Sequence, residues 1–262
     1  MGSVGVIPAR LASTRFPEKP LCKILGESMI SWVVKGALTS KRLTEILVAT
    51  DDERIAREAE RAGAKAVMTD PALPSGSDRV WAALVAVGMT DADVVVNIQG
   101  DEPLITGAPL DALVSAFDGE AGRGVQMATL GRPMDFSRSN GLEELQSQAT
   151  AKIVMDNEMN ALYFSRFPIP FSRVDVKDAA KRSDSVSRSV LKHVGIYAYR
   201  PRFLETFCAA PQSELEILEG LEQLRALSLG AKIRVIRTEH ESWGVDTPGD
   251  VEKIEKRLLS KK

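Results

Sequence analysis

Residues 93–99 read Asp-Val-Val-Val-Asn-Ile-Gln. This apolar run, closed by Gly100, is the clearest buried strand in the chain. It is too short for a helix of ordinary length and rich in β-branched side chains. Upstream of it, short apolar stretches alternate with amphipathic ones. Residues 4–7 predict a strand ending at Pro8, residues 28–38 carry helical spacing, and residues 46–50 predict a second strand. Residues 52–62 form a helix pattern with a charged face, stopped by Gly63, a natural C-cap. Residues 64–68 predict a third strand and residues 78–87 a helix. Strand-helix alternation of this kind predicts an α/β fold with a mostly parallel central sheet and helices on both faces. In such sheets ligands bind beyond the carboxyl ends of the strands, so the loops after the strands are the ones to search.

The second half changes character. Strands are expected at 125–132, 151–155, 160–164, 193–199 and 232–237, and a loop or short helix at 141–148. Residues 215–229 predict one long amphipathic helix. Residues 174–188, rich in charge and serine, predict a mobile surface loop. Near the C-terminus, Thr247, Pro248 and Asp250 make a good helix opening, with Thr247 as cap. The change of pattern suggests a smaller lobe at about 124–210 within a single domain spanning 1–262.

Composition narrows the function classes. The 262 residues are 44% hydrophobic and 27% charged, with a formal net charge of -2, ordinary for a soluble globular protein. No basic excess points to nucleic acid. No apolar run reaches the ~18 residues of a membrane span. The N-terminal MGSVGVIPAR has no basic segment followed by an apolar one, and Cys22 and Cys208 lack metal-ligand spacing. The expectation is a cytoplasmic protein with reduced thiols.

Chemistry concentrates after the first strand, where residues 8–21 read PARLASTRFPEKPL. Arg10, Arg15 and Lys19 lie among small residues such as Ala9 and Ala12, which let backbone amides approach a ligand. Guanidinium forks and an ammonium suit a triphosphate, and Pro17 and Pro20 stiffen the exit. There is no Walker A pattern. After strand 93–99, Gly100 permits a sharp turn and Asp101 is placed for a hard cation such as Mg²⁺. Ser75, Gly76 and Ser77 make a small turn opening the helix from Asp78, where amides bind anions or polar base edges. Taken alone, Asp246 reads as part of a helix-start turn, and His193 and Tyr197, four apart on a strand, as side chains sharing one face.

The pattern PAR-x-x-S-T-R-x-P-x-K-P-L, with QGDEP at 99–103 and GVDTPGD at 244–250, resembles the sugar-activating cytidylyltransferases. The likeness covers nearly the whole chain and is greatest to the branch acting on 3-deoxy-manno-octulosonate (Kdo). It implies a Rossmann-like nucleotidyltransferase fold, CTP and a Kdo-type sugar acid as substrates, Mg²⁺, and a homodimer formed through the smaller lobe. It implies that Asp101 and Asp246 bind the metal, that Arg10 and Lys19 act on the triphosphate, and that Gln99 contacts the sugar acid. The stretch from Met68 and Thr69 to Ser75 and Gly76 would hold cytosine, supported by Arg79. Arg166, His193, Tyr197, Glu222 and Gln223 would contact the sugar, and Arg15 either phosphate or the sugar carboxylate.

The chain departs from the pattern at several places. Glu18 stands where the family commonly has glycine, Gly26-Glu27-Ser28-Met29 where it has Gly-Lys-Pro-Met, and Ser77 where it has threonine. Residues 148–152, QATAK, keep only Lys152 of the family's Asn-x-Val-Lys. Rival readings are the same transfer to 8-amino-Kdo or a sialic acid, and a sugar-nucleotide-binding module without catalysis. A glycosyltransferase is disfavoured because Asp101-Glu102 replaces the usual Asp-x-Asp pair.

Overall fold

The structure, a computed structural model, describes residues 2–12, 16–136, 139–171, 173 and 189–260. The readings of Arg15 and of residues 174–188 concern residues outside that set. The chain divides into two compact units. One comprises Met1–Ser115, Ala198–Cys208 and Ser242–Lys262, the other Ala116–Tyr197 and Ala209–Glu241.

The first unit holds β1 (Ser3–Ala9), the small hairpin β2 (Lys23–Ile24) and β3 (Glu27–Ser28), β4 (Leu43–Thr50), β5 (Lys65–Met68) and β6 (Val95–Asn97). Its sheet runs β6-β1-β4-β5, all parallel. Parallel neighbours need crossovers, supplied here by α1 (Met29–Ala37), α2 (Glu53–Ala62) and α3 (Gly76–Val87). Val4, Val6, Ile7, Leu47, Val48, Val95 and Val96 are all at most 2% exposed, so the apolar runs are the core.

β1 continues one residue past Pro8, to Ala9 paired with Thr50. The backbone groups of Val4 and Val6 bond toward residues 94 and 98, so those of Pro8 point the same way, beyond the end of that ladder. A proline without an N–H is tolerated there. α2 ends at Gly63, φ 104, as its sequence predicts; Asp52, read as its first residue, is instead its N-cap and accepts from the Arg54 N–H. α3 starts two residues earlier than its periodicity suggested. Ser75 is the cap, accepting from the Asp78 N–H, whereas Ser77 is buried.

Two helices escaped the pattern reading. α4 (Gly107–Ser115) is masked by Pro109 and by its opening glycine. A Cβ on Gly107 would stand 2.3 Å from the Ser40 backbone nitrogen, so only glycine fits.

The second unit holds β7 (Met127–Pro133), α5 (Ser139–Gln146), β8 (Lys152–Met155), β9 (Ala161–Ser165) and most of β10 (Val190–Tyr199). After β10 comes the other overlooked helix, α6 (Pro201–Ala209), largely within the first unit. The second unit resumes with α7 (Glu214–Glu219), α8 (Gln223–Ser228) and β11 (Ile233–Arg237). Its strand order is β11-β7-β10-β8-β9, parallel between β11 and β7 and antiparallel through β10, β8 and β9.

The single helix expected at 215–229 is two. Gly220 adopts φ 61 and its N–H returns to Glu216 O, ending α7. The apolar spacing on either side of Gly220 mimics one continuous stripe.

α9 (Pro248–Ser260) returns to the first unit. Thr247 stands at the cap position, and Asp250, in the first turn, reaches back to the segment before the helix. The Asp250 carboxylate accepts from the N–H groups of Asp246 (3.2 Å) and Thr247 (3.0 Å) and from the Thr247 hydroxyl (2.8 Å). A hydrogen bond from Lys253, then these bonds, hold that carboxyl well below the ordinary aspartate range. α9 docks through a cluster of Ile24, Met29, Val245 and Ile254, with Phe16, Trp32 and Trp243 at its edge. Each fully buried aliphatic side chain of this kind contributes about 1.5–3 kcal/mol, enough to hold the C-terminal segment beside the N-terminal loop.

Candidate active site

The ends of β1 and β6 and the start of α3 surround a cleft of ≈ 330 Å³ in the first unit. Ala9, Arg10, Lys19, Ser75, Gly76, Arg79, Gln99 and Asp101 line it. Of the residues assigned to the nucleotide, Met68 and Thr69 follow the same topological logic at the end of β5 without lining this cleft. Gly100 brings the Asp101 turn against β1: a Cβ there would stand 2.7 Å from Pro8 O.

Lys19 is the centre of the charge arrangement. It opens a short 3₁₀ turn, Lys19–Leu21, after Glu18 in the left-handed conformation at φ 55. Its Nζ donates to Asp101 Oδ2 at 2.7 Å and to the Val245 carbonyl at 2.9 Å, and lies 3.6 Å from Asp246 Oδ1. Two carboxylates assigned to one metal thus approach a single nitrogen from segments far apart in the chain. The Val245 N–H donates to Asp101 O at 3.0 Å, tying the two segments together. Glu102 completes the link: its carboxylate accepts from the Ser242 hydroxyl and from the Trp243 N–H. Burial raises the Glu102 carboxyl, those two donors oppose the rise, and the neighbouring Asp101 charge adds to it.

Arg79 is buried at 2% exposure, and Nη1 donates to Thr69 Oγ1 at 2.5 Å. Nη2 has no hydrogen-bond partner among the described residues; its nearest carboxylate is Asp51, at 3.7 Å. Burial lowers the Arg79 guanidinium, Asp51 raises it, and Arg10 lowers it further. A buried, under-bonded cation beside the cleft suits a polar ligand edge. Asp51 is a site residue that the sequence reading missed. Its Oδ1 accepts from the Leu11 N–H at 3.0 Å, so it ties the N-terminal loop to the Arg79 cation. The signal was present, since Asp51 is an acid immediately after a buried strand, as Asp101 nearly is.

In the second unit, His193 and Tyr197 lie on one face of β10 with ring centroids 5.5 Å apart. His193 Nε2 is 3.0 Å from Thr129 Oγ1, and burial pushes the imidazole down to about 3, so it is neutral at pH 7. Burial, reinforced by the charge of Glu222, raises the Tyr197 phenol. Its hydroxyl donates to Gln223 Oε1 at 3.0 Å, while the buried Gln223 Nε2 has no partner among the described residues. That leaves an amide donor for a ligand oxygen. Arg166 is engaged: Nε donates to Glu219 O at 2.9 Å and Nη1 to Gln148 O at 3.2 Å. Glu219, which no sequence signal marked, also accepts from Ser165 Oγ at 2.6 Å. Lys152 is wholly buried and donates to the carbonyls of Ser147, Thr150 and Arg166, a loop clamp rather than a ligand contact.

Known proteins place this arrangement. The family model described as cytidylyltransferase matches residues 4–233. The chain is similar to a 3-deoxy-manno-octulosonate cytidylyltransferase of Bdellovibrio bacteriovorus, 50% identical over 260 residues, 99% of each chain. It is also similar to an 8-amino-3,8-dideoxy-manno-octulosonate cytidylyltransferase of Shewanella oneidensis, 46% identical over 253 residues and 97% of each chain. Among solved structures it is similar to a CMP:2-keto-3-deoxy-manno-octonic acid synthetase complexed with CTP. That likeness has TM-score 0.86 and 36% identity and covers 100% of both chains. A likeness that runs the full length of both chains and includes the loop, acid turn and C-terminal segment that converge on Lys19 shows that this protein belongs to the cytidylyltransferase family.

Proposed function

We propose that this protein couples CTP to 3-deoxy-D-manno-octulosonate (Kdo), giving CMP-Kdo and pyrophosphate for lipopolysaccharide biosynthesis. The observation that carries the reading is the end-to-end 50% identity to a protein named for that reaction. The convergence of Lys19, Asp101 and Asp246 supports it, as an ammonium beside two hard-oxygen donors of the kind a cation-assisted transfer uses. The reading includes Mg²⁺. Asp101 and Asp246 offer hard oxygen donors, and no cluster of three or more His, Cys, Asp or Glu exists among the described residues. Two carboxylates completed by substrate phosphates are what Mg²⁺ ordinarily takes, so the residues fit. When bound, the ion neutralises phosphate oxygens and acidifies the attacking hydroxyl.

The protein's share is positioning and charge. Ala9, the 68–76 loop and Arg79 hold the nucleotide. Arg10 and Lys19 neutralise the triphosphate and the departing pyrophosphate. His193, Tyr197, Glu222, Gln223 and Arg166 of the second unit orient the acid. The anomeric oxygen bonds to the α-phosphorus as the α,β-bridging oxygen leaves with pyrophosphate, and the hydroxyl proton passes to solvent.

Pyrophosphate release with CTP, varying the acid and the metal, tests this reading. Release should require Kdo and Mg²⁺ and stop with EDTA. Higher kcat/KM with 8-amino-Kdo favours the second reading, which the Shewanella relative motivates. CTP binding without release from any acid leaves a binding module. The reading also includes a homodimer in the cytoplasm, where CTP is available. The second unit exposes Leu162, Phe167, Phe171, Ile217 and Leu218, apolar surface that suits a partner copy. A monomer in sedimentation equilibrium would remove the dimer. No helix among the described residues is long and apolar enough to cross a membrane.

A further inference from the structure

Glu102 is a buried carboxylate that does not line the cleft. We propose that it is a positioning residue, pinning residues 242–245 to the turn after β6 so that Asp246 stands beside Asp101 and Lys19. The inference rests on the proposed function only for the use made of Asp246; the pinning itself stands on geometry.

Residues 238–246 lie in no helix or strand, so no ladder fixes their course. Ser242 is also the first residue of the chain's last return to the first unit. Both Glu102 oxygens are used just there: Oε1 accepts from the Ser242 hydroxyl and Oε2 from the Trp243 N–H at 3.0 Å. Farther along, the Val245 N–H reaches Asp101 O at 3.0 Å and the Val245 carbonyl accepts from Lys19 at 2.9 Å. The Trp243 ring lies 4.3 Å from the Arg257 guanidinium carbon, and Val245 is fully buried. Glu102 and Asp101 are adjacent, so the turn that presents one acid also fixes the segment presenting the other. Hydrogen bonds to an ionised acceptor are the stronger kind, and truncating Glu102 removes the acceptor of the part-buried Trp243 N–H.

The test compares Glu102→Ala, Glu102→Gln and Ser242→Ala in the full chain. Hydrogen exchange at the amides of Trp243 and Val245 is followed by mass spectrometry. Mn²⁺ affinity is measured by paramagnetic resonance with CTP present, and CTP affinity without metal by calorimetry. In Glu102→Ala, exchange should accelerate about tenfold or more and the Mn²⁺ dissociation constant should rise about tenfold. Metal-free CTP binding should change less than about twofold. Glu102→Gln should recover most of both effects, because its carbonyl accepts from Trp243 and its amide donates to the Ser242 oxygen. Unchanged exchange in Glu102→Ala, or faster exchange with Mn²⁺ affinity intact, overturns the proposal. If Glu102→Ala does not fold, Ser242→Ala carries the test, with smaller changes in the same direction expected and no change overturning it. If the parent protein transfers no cytidylyl group, the proposed function falls, while the exchange and Mn²⁺ measurements still decide the role of Glu102.

Discussion

Lys19 Nζ lies 2.7 Å from Asp101 Oδ2, joining two turns 82 residues apart in sequence. The same nitrogen donates to the Val245 carbonyl, so one ammonium holds the N-terminal loop, the acid turn and the C-terminal segment together. Lys19→Met should lower kcat about 10²–10³-fold, the size of effect seen when one preorganised donor is removed from a site of developing charge. Lys19→Arg should recover little, because a planar fork does not replace a point charge shared among three oxygens. Steady-state pyrophosphate release, with circular dichroism as the fold control, checks both.

Gln223 holds Tyr197 with its carbonyl and keeps a buried amide without a partner among the described residues. Gln223→Leu should raise KM for the sugar acid about tenfold, the worth of one or two neutral hydrogen bonds, and leave KM for CTP unchanged. An equal rise in both Michaelis constants removes the assignment of Gln223 to the acid.

His193 sets part of the pH dependence of stability. Its folded value, about 3, lies below the ordinary 6.5. Between those limits the unfolded chain binds a proton that the native protein does not. This stability is therefore full above the unfolded value and is lost as pH falls toward the folded one. His193→Gln should flatten the acid limb by up to ~1.4 kcal/mol per pH unit. Urea unfolding of both proteins at pH 7 and pH 5 measures the difference, and identical slopes count against a neutral buried imidazole.

Glu18 occupies φ 55 and pairs with Arg54 Nη1 at 2.8 Å. Left-handed backbone costs a side-chain-bearing residue about 1–2 kcal/mol. Glycine would remove that cost but add about 0.4–1 kcal/mol of unfolded-state entropy and lose an exposed, solvent-screened ion pair of little worth. Glu18→Gly should therefore be nearly neutral in thermal unfolding. Glu18→Val should destabilise by more than about 1 kcal/mol, because β-branched side chains tolerate positive φ least.

Gly100→Ala would place its Cβ against Pro8 O, a backbone atom with little freedom to retreat. Overpacking of this kind costs about 1–3 kcal/mol, and displacing the turn should also move Asp101. A lower melting temperature together with weakened metal dependence is expected. Wild-type values of both would mean that the turn has room to shift.

The parallel sheet of the first unit was legible because β1, β6 and the second half of β4 are buried and read as unbroken apolar runs, as residues 93–99 do. The loop cations, the acid turn and the C-cap at Gly63 were legible as patterns of residues adjacent in sequence. What failed was also local. The stripe across Gly220 looks continuous because a left-handed glycine leaves no trace in hydrophobic spacing, and Gly107 and Pro109 hide a helix whose backbone touches Ser40 and Thr39.

The sequence by itself determined which chemical groups stand at the ends of β1 and β6 and, through its motifs, the family. The resemblance paired Asp246 with Asp101, and the tertiary structure brings both to Lys19; it alone decided that Asp51 secures Leu11 beside Arg79 and that Glu102 grips residues 242–243. Periodicity reports which face of an element is buried, a property of neighbours in sequence. Hydrogen bonds between segments as far apart as Glu102 and Ser242 depend on how distant turns are brought together, and that is set by packing, here of Val245 and Ile254 against Ile24 and Met29.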